Sequence, residues 1–432
     1  MKSVFFIPTN RNIDKCLSSY VKEIVFAKER FNTSIPILIV ETNNSFLAEN
    51  KKVIESIKKQ YHEIEIIHLT IDKQIEYFKE LFGEIDGKIF KVFTYTGVNF
   101  GTAMNKLGLF TVSLGAEAFH RRDSDTYLIS DKFPEIETLF PIENELKYLG
   151  RTIKYFKEKN KMETPLLTDE EKKILVVGGN YFGEWNLDVK DFARDSFERI
   201  YHLYDLLGFE KGSIVDICNE AFQFNQEYKQ EDKLTLVTSV NDGLNPDCGN
   251  VAVFKLFEYL PALPGINTYA ADYFFFDTST ALGFPSLHQS RPVFHEYHSE
   301  RFEYEKKLRY WYGMMKFSDY FYLYNNIYNK KITDPYCNEN ALISSHIIRI
   351  LSNEIRTFTV NNSFREDRIK RIADEVLSGF NDDYTRIANS LKPNISKYIM
   401  ESNEDYMTHA LLLDNWNKII CRAKEIDLKD YL

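Results

Sequence analysis

The stretch EAFHRRDSD, residues 117–125, ends in two aspartates, Asp123 and Asp125, with one serine between them. It has the pattern of a short strand followed by a turn, and it comes after a helical segment at residues 102–116. Two carboxylates this close repel each other. A divalent cation with oxygen ligands offsets that repulsion and keeps positions open for phosphate oxygens. The stretch therefore predicts a Mn²⁺ or Mg²⁺ site at a strand end.

Strands and helices alternate through the first 130 residues. Apolar runs with the length of buried strands occur at residues 3–8, 35–42 and 64–70, and segments with helical spacing lie between them. This alternation predicts an α/β fold with a mainly parallel sheet flanked by helices. Ligands of such sheets bind beyond the carboxyl ends of the strands. We therefore expect the chemistry at the predicted strand ends, which are Pro8–Arg11, Glu41–Asn44 and Asp123–Asp125.

The rest of the chain changes character twice. Residues 131–172 have the pattern of a charged, partly helical connection, and KILVVGGNY at 173–181 is a further buried strand. Residues 262–300 carry several Gly and Pro and are expected to be rich in loops. From residue 301 onward the apolar spacing is mostly helical. We predict a boundary near residue 300 and an α-helical C-terminal region to residue 432.

Composition narrows the class of protein. The net charge is −10 with both signs interspersed, which argues against nucleic acid as a partner. The five cysteines are scattered and form no CxxC, so neither a disulfide framework nor a zinc site is expected. No apolar run has the length of a membrane span, and the N-terminus has the pattern of a strand rather than a signal peptide. We expect a cytoplasmic protein.

Polar residues at the early strand ends suit a nucleotide. Pro8, Thr9, Asn10 and Arg11 offer hydrogen-bonding groups for a nucleobase or ribose, although an asparagine there also suits a helix cap. Glu41 would accept ribose hydroxyls, or would be an ordinary exposed acid at a strand end.

Residues 96–108, TGVNFGTAMNKLG, hold a second candidate binding segment. Gly101 lets backbone approach a ligand closely, and the helix start there can face a phosphate. Asn105 lies one turn further on. An ordinary capped helix explains the same residues.

Two later segments add titratable groups. Asp272 lies in AAD, residues 270–272, where a carboxylate can take a proton from a substrate hydroxyl or can simply cap a helix. HQSRPVFHEYHSER, residues 288–301, clusters His288, His295 and His298 with two arginines. One of these histidines can complete a metal shell, and an arginine can grip a diphosphate.

At these residues the sequence resembles the glycosyltransferases of the GT-A fold, which use nucleotide sugars. The resemblance covers roughly residues 1–300. It rests on PTNRN (8–12), ETNNS (41–45), NFGTAMNKLG (99–108), DSD (123–125), VVGGNY (176–181) and the segment from AAD to FHEYH (270–298).

The resemblance implies roles for individual residues. Residues 1–130 would bind the nucleotide of a UDP- or GDP-sugar, residues 131–300 would face the acceptor, and Asp272 would be the base of an inverting enzyme. Arg121 and Arg122 stand where the family has apolar residues, and they would contact ligand or close an ion pair. The metal ligands would be Asp123, Asp125, His295 and His298, and the donor-binding residues Pro8, Thr9, Asn10, Arg11, Glu41, Gly101, Asn105, Arg122, Asp123 and Gly179.

Other interpretations stay open at this point. A nucleotidyltransferase acting on a sugar phosphate also uses acid-bound metal on an α/β sheet, but the first strand here lacks its glycine-rich loop. A non-catalytic scaffold on the same fold is the third interpretation. The acceptor, whether glycan, peptide or small molecule, is not defined by the sequence, and neither are the donor sugar and the stereochemistry. The helical C-terminal region suits a homo-oligomer interface or an acceptor groove.

Overall fold

The computed structural model describes the chain except for residues 84, 161–168, 184–191, 193–195, 210, 213, 216–217, 219–227, 241–245, 269–270, 297–302, 331, 333–341 and 360–361. His298 and Arg301 lie outside the described residues. The sequence has amphipathic helical spacing at residues 188–209, and part of that segment also lies outside them.

A mixed sheet forms the centre of the molecule. Its strands follow the order β3-β2-β1-β4-β8-β6-β9-β5, and β7 pairs with β9. The first four strands in this order are parallel, whereas β8 runs antiparallel to both β4 and β6. The strands are β1 (Ser3–Thr9), β2 (Ile37–Glu41), β3 (Ile66–Leu69), β4 (Ala118–Arg122), β5 (Thr126–Leu128), β6 (Val176–Gly183), β7 (Leu234–Val237), β8 (Asn250–Phe254) and β9 (Ser286–His295).

Helices cover both faces of this sheet, as the alternating sequence pattern predicts. Those before the C-terminal region are α1 (Asp14–Phe31), α2 (Leu47–Gln60), α3 (Ile71–Phe82), α4 (Gly87–Phe93), α5 (Phe100–Ser113), α6 (Ile129–Lys132), α7 (Pro141–Tyr148), α8 (Ile153–Asn160), α9 (Phe197–Leu207), α10 (Leu256–Tyr259) and α11 (Tyr273–Ala281).

The C-terminal region is helical, which confirms that part of the sequence prediction. It contains α12 (Tyr304–Asn329), α13 (Ser345–Phe358), α14 (Asn362–Arg371), α15 (Asp382–Leu391) and α16 (Ile395–Glu425). A π-helical segment, Ile372–Leu377, continues α14, and short 3₁₀ turns lie at Lys392–Asn394 and Leu428–Tyr431.

Side-chain alternation along β1 divides the core into two layers. Phe5 and Ile7 point to the face covered by α1 and α2, whereas Val4 and Phe6 point to the face covered by α3 and α5. All four side chains are buried. A strand that is apolar on both faces is typical of a parallel sheet covered on both sides.

The last long helix, α16, contacts the helices that flank the sheet through hydrogen bonds as well as through apolar packing. Ser113 donates a hydrogen bond to the carbonyl of Ala423 (2.7 Å), and the Trp416 indole donates to the carbonyl of Phe257 (2.8 Å). One core cluster includes side chains of the sheet strands together with side chains of α16. The domain boundary near residue 300 remains a prediction.

Residues 262–300 differ from the loop-rich segment that we expected, because they contain α11 and the ten-residue strand β9. Along β9, buried residues alternate with partly exposed ones, which is the pattern of a strand. His, Gln, Ser and Arg occupy several of its positions, so the apolar signal is weak. None of the helices described combines the length and apolar character that a bilayer crossing requires.

Candidate active site

The turn that carries Asp123 and Asp125, the acid pair, is fixed by its own backbone and by β8. The carbonyl of Asp123 accepts hydrogen bonds from the backbone N–H (3.1 Å) and the hydroxyl (2.7 Å) of Thr126. Pairing of β4 with β8 sets Arg122 opposite Asn250, so the turn lies beside the residues that precede β8. The acid pair therefore lies at the carboxyl end of β4, where the sequence placed it.

The two arginines before the acid pair point to opposite faces of β4, because side chains alternate along a strand. Arg121 lies at the candidate site. Its guanidinium donates to Asp123 Oδ1 (3.0 Å) and to Asp272 Oδ2 (3.0 Å). Both Arg121 and Asp272 are buried, with side chains 3% and 1% exposed. The structure thus brings Asp272 to the acid pair through the guanidinium of Arg121, which binds both Asp272 and Asp123.

Arg122 lies in a buried ionic cluster on the other face. Its guanidinium donates to Glu23 Oε1 (2.8 Å) and Glu145 Oε1 (2.9 Å), and His120 lies 2.6 Å from Glu145 Oε2. Burial raises the pKa of Glu23, whereas Arg122 and His120 hold the pKa of Glu145 below its usual value against the effect of burial. Arg122, which the sequence suggested as a donor-binding residue, is buried in this cluster and pairs with Glu23 and Glu145, and Arg121 is the arginine that faces the site.

Asp125 lies next to the histidine that the sequence offered as a metal ligand. Its Oδ2 is 3.5 Å from His295 Nε2 and 3.1 Å from Arg11 Nη1. The antiparallel pairing of β5 with β9 sets Thr126 opposite His295, which explains why residues so distant in sequence meet. The structure therefore brings Arg11, Asp125 and His295 together.

A further carboxylate, Asp247, belongs to the same cluster and was missed in the sequence. Its Oδ2 accepts the backbone N–H of Tyr181 (2.6 Å) and its Oδ1 accepts the hydroxyl of Tyr273 (2.8 Å). Burial raises the pKa of Asp247 to about 6, and the charge of Asp123 adds to the rise. The only sequence signal was its place in a turn directly before a strand.

Tyr181 links these groups. Its hydroxyl donates to Asp123 Oδ2 (2.9 Å) and accepts the N–H of Gly249 (2.9 Å), and its ring stacks on His295 with centroids 4.9 Å apart. A Cβ at Gly249 would lie 2.3 Å from the Tyr181 hydroxyl and 2.5 Å from Asp123 Cγ. Only glycine fits there, because any side chain would displace both groups.

The site carries an excess of negative charge. Four carboxylates, those of Asp123, Asp125, Asp247 and Asp272, meet two arginines, Arg11 and Arg121, so two negative charges stay uncompensated by arginine among the described residues. One divalent cation carries the charge that balances them. Within the described ranges, no group of three or more His, Cys, Asp or Glu side chains is placed to hold a metal ion.

At the ends of β1 and β2, the predicted nucleoside-binding residues lie close together. The Thr9 hydroxyl accepts the N–H of Arg11 (3.2 Å), Pro8 pairs with Val40, and Asn10 is exposed. Glu41 is fully buried, with Oε1 accepting from Asn50 (3.0 Å) and 2.8 Å from His68 Nε2. Its second oxygen, Oε2, has no hydrogen-bond partner in the part of the chain described.

Three other predicted residues contact protein backbone. Asn105 exchanges two hydrogen bonds with the backbone of Ala262 (2.8 and 2.6 Å), and a Cβ at Gly101 would lie 1.7 Å from the carbonyl oxygen of Leu263. These contacts explain both residues by the close approach of α5 to residues 262–263. Gly179 accepts the N–H of Asp247 through its carbonyl (3.0 Å), which places it beside the site.

The remaining residues of the histidine-rich segment have other partners. His288 Nε2 lies 3.0 Å from Asn180 Oδ1, and burial lowers the pKa of His288 to about 4. Arg291 binds Asp232 through two hydrogen bonds (2.8 and 2.9 Å) and pairs with Glu143 (2.7 Å). Of this segment, the described part contributes His295 to the site.

Comparison with known proteins gives the family of the chain. The model of a family of unknown function, DUF6271, matches residues 2–431, so the chain belongs to that family. No curated protein matches the sequence.

Two solved structures align with most of the chain at low similarity. The mannosyltransferase PcManGT from Pyrobaculum calidifontis, in complex with GDP-Man and Mn²⁺, is 11% identical, with 96% of this chain and 88% of that chain covered and a TM-score of 0.38. TarS 1-349 of S. aureus is 12% identical, with 97% and 92% covered and a TM-score of 0.36.

Proposed function

We propose that the chain is a metal-dependent glycosyltransferase that moves a sugar from a UDP- or GDP-sugar donor to an acceptor. The observation that carries this proposal is the convergence of Asp123, Asp125 and Asp272 at one edge of the sheet. Arg121 holds two of these carboxylates at 3.0 Å each. An acid pair can take part in holding a cation, and a third, buried acid can take a proton from an acceptor hydroxyl.

The residues fit a divalent cation in kind and in charge. Asp125 and His295, 3.5 Å apart, offer oxygen and imidazole donors, which suit Mn²⁺. Mg²⁺ in nucleotide-binding sites commonly takes one or two carboxylates and completes its shell with phosphate oxygens and water. An incomplete protein ligand set is therefore compatible with this use. Asp125 and His295 would hold the ion, with the charge of Asp123 beside them, and the ion would supply positive charge to the departing diphosphate.

Arg11 is the cation of the site with most access to solvent. Its side chain is 24% exposed and pairs with Asp125 (3.1 Å). A guanidinium can donate two parallel hydrogen bonds to a phosphate, and such bonds are strong because both partners are charged. We assign Arg11 to the donor diphosphate.

The nucleoside would lie at the ends of β1 and β2. Glu41 Oε2 is an acceptor with no partner among the described atoms, and burying such a group costs free energy until a donor reaches it. A ribose hydroxyl or a nucleobase N–H would be that donor.

Asp272 is the candidate base. It lies at the start of α11, and its Oδ1 has no hydrogen-bond partner among the described residues. In an inverting reaction, the acceptor hydroxyl would give its proton to this carboxylate as the hydroxyl oxygen attacks the sugar. In a retaining reaction, Asp272 would position the sugar instead.

The test is a screen of donor hydrolysis with UDP- and GDP-linked hexoses and N-acetylhexosamines, with Mn²⁺ and with a chelator. We expect release of nucleoside diphosphate from one donor class, and only with metal. Product formation from a nucleoside triphosphate and a sugar phosphate would favour the nucleotidyltransferase. No binding of any nucleotide would favour the scaffold and reject the proposal.

A further inference from the structure

We propose that Asp247 binds hydroxyl groups of the transferred sugar and helps to decide which donor sugar is used. This inference rests on the proposed glycosyltransferase function and names a residue that sets its specificity.

The backbone of Asp247 is held firmly beside the acid pair. Its N–H donates to the carbonyl of Gly179 (3.0 Å), and its own carbonyl accepts the N–H of Asn250 (2.8 Å) at the start of β8. The carboxylate is therefore fixed by two strands, β6 and β8. A binding residue on rigid elements holds its geometry when the ligand arrives.

Asp247 differs from the other three carboxylates in its partners. Asp123 and Asp272 pair with Arg121, and Asp125 pairs with Arg11. Among the described residues, the direct partners of Asp247 are neutral donors, the Tyr181 amide and the Tyr273 hydroxyl. A carboxylate has about four lone-pair positions, and these two bonds occupy one on each oxygen. Asp247 thus retains acceptor capacity and charge for a ligand.

The contacts of Asp247 place it between Asp123, on the proposed diphosphate side of the site, and Asp272, the proposed base on the acceptor side. Through Tyr181 it is linked to Asp123, to which the Tyr181 hydroxyl donates (2.9 Å). Its other donor, the Tyr273 hydroxyl, belongs to the residue that directly follows Asp272. In the proposed reaction, the donor diphosphate would lie beside Asp123 and the acceptor beside Asp272. The sugar that passes from one to the other must lie between them.

A half-buried aspartate at that position suits hydroxyl donors. Hydrogen bonds from hydroxyls to a charged carboxylate are short and about twice as strong as those between neutral groups. A site built to bind a hydroxyl discriminates strongly against an analogue that lacks it. Asp247 therefore has the chemistry of a specificity residue for a polyhydroxylated ligand.

The test compares the affinities of the full chain for a nucleoside diphosphate and for its sugar conjugate, using UDP, GDP and their hexose forms with Mn²⁺. Asp247→Asn preserves the size of the side chain and an acceptor oxygen. We expect this variant to lower the affinity for the nucleotide sugar about tenfold or more. The affinity for the nucleoside diphosphate should change by less than about twofold. Asp131→Asn, which removes a charge paired with Lys22 on the surface, is the matched control and should change neither affinity.

Deoxy-sugar donors identify the hydroxyl. The wild type should bind the donor that lacks the contacted hydroxyl about tenfold more weakly than the parent donor, and Asp247→Asn should bind both equally. Unchanged nucleotide-sugar affinity in Asp247→Asn would overturn the inference while leaving the glycosyltransferase proposal intact. Equal weakening of UDP or GDP and their conjugates, or a loss of Mn²⁺ affinity, would also overturn it. If the wild type binds no nucleotide, both proposals fall.

Discussion

Arg121 and Asp272, 151 positions apart in the sequence, form a buried ion pair of 3.0 Å. The same guanidinium holds Asp123, so one side chain fixes the distance between the acid pair and the candidate base. Removing one partner of a buried ion pair costs more than the pair contributes, because the other charge is left unpaired. Here Asp123 would still balance Arg121 if Asp272 became neutral.

Asp272→Asn should therefore fold and bind donor, yet lose turnover. If the reaction inverts, we expect kcat to fall about 10²- to 10⁴-fold, because the base for the acceptor hydroxyl is lost. Steady-state kinetics and a separate donor titration would distinguish the two effects. Equal losses in turnover and donor affinity would remove Asp272 from the base role.

Asp125→Ala should abolish metal-dependent nucleotide binding and leave the fold intact. The side chain pairs with Arg11, which is partly exposed, so the loss should change the free energy of unfolding by only about 1 kcal/mol. Thermal shift with UDP and GDP, with and without Mn²⁺, measures both properties. A variant that binds nucleotide with unchanged metal dependence would contradict the assignment of Asp125.

Arg122→Met should destabilise the protein rather than impair the site. It would leave the buried Glu23 and Glu145 without their cation, at a cost of about 3–5 kcal/mol. Arg371→Met, which breaks a surface pair with Glu375, should stay within about 1 kcal/mol of the wild type in urea unfolding. Lost nucleotide affinity with unchanged stability would instead return Arg122 to the binding residues.

His409 should make stability depend on pH. Its ring lies between the Tyr324 hydroxyl (2.6 Å) and the Pro261 carbonyl (3.0 Å), and burial lowers the pKa of His409 from its usual 6.5 to about 4. Between these values the unfolded chain binds more protons. The contribution is therefore full above the higher value and is lost as pH falls towards the lower one, by up to about 3 kcal/mol.

The matched variant for this prediction is His409→Gln, which does not titrate. We expect the difference in unfolding free energy between wild type and variant to shift in favour of the variant as pH falls from about 7 to about 4. Parallel stability curves over this range would show that His409 is not the group responsible.

The sequence predicted the α/β fold because its early strands are apolar on both faces and alternate with helices. The C-terminal helices were predicted for a similar reason. Strand β9 was not, since its polar residues hide the alternation that burial reveals. With β9 missing, no sequence pattern could show that His295 faces Asp125, because their proximity comes from the pairing of β5 with β9.

Two features of the site were beyond the sequence pattern for different reasons. Asp247 lies in a turn whose composition is ordinary, and its contacts with Tyr181 and Tyr273 depend on tertiary structure. For Arg121 and Arg122, in contrast, strand alternation alone predicts that the two side chains point to opposite faces of the sheet. Which of the two faces is buried under α1 and α7 depends on packing that the local pattern does not contain.

The most direct test of the central claim is a diffraction experiment on crystals grown with Mn²⁺ and UDP or GDP, with data collected at the manganese absorption edge. The proposed function predicts an anomalous peak bonded to the carboxylate of Asp125 and to His295, and in contact with the diphosphate. A bound nucleotide diphosphate with no manganese peak at these side chains would contradict it.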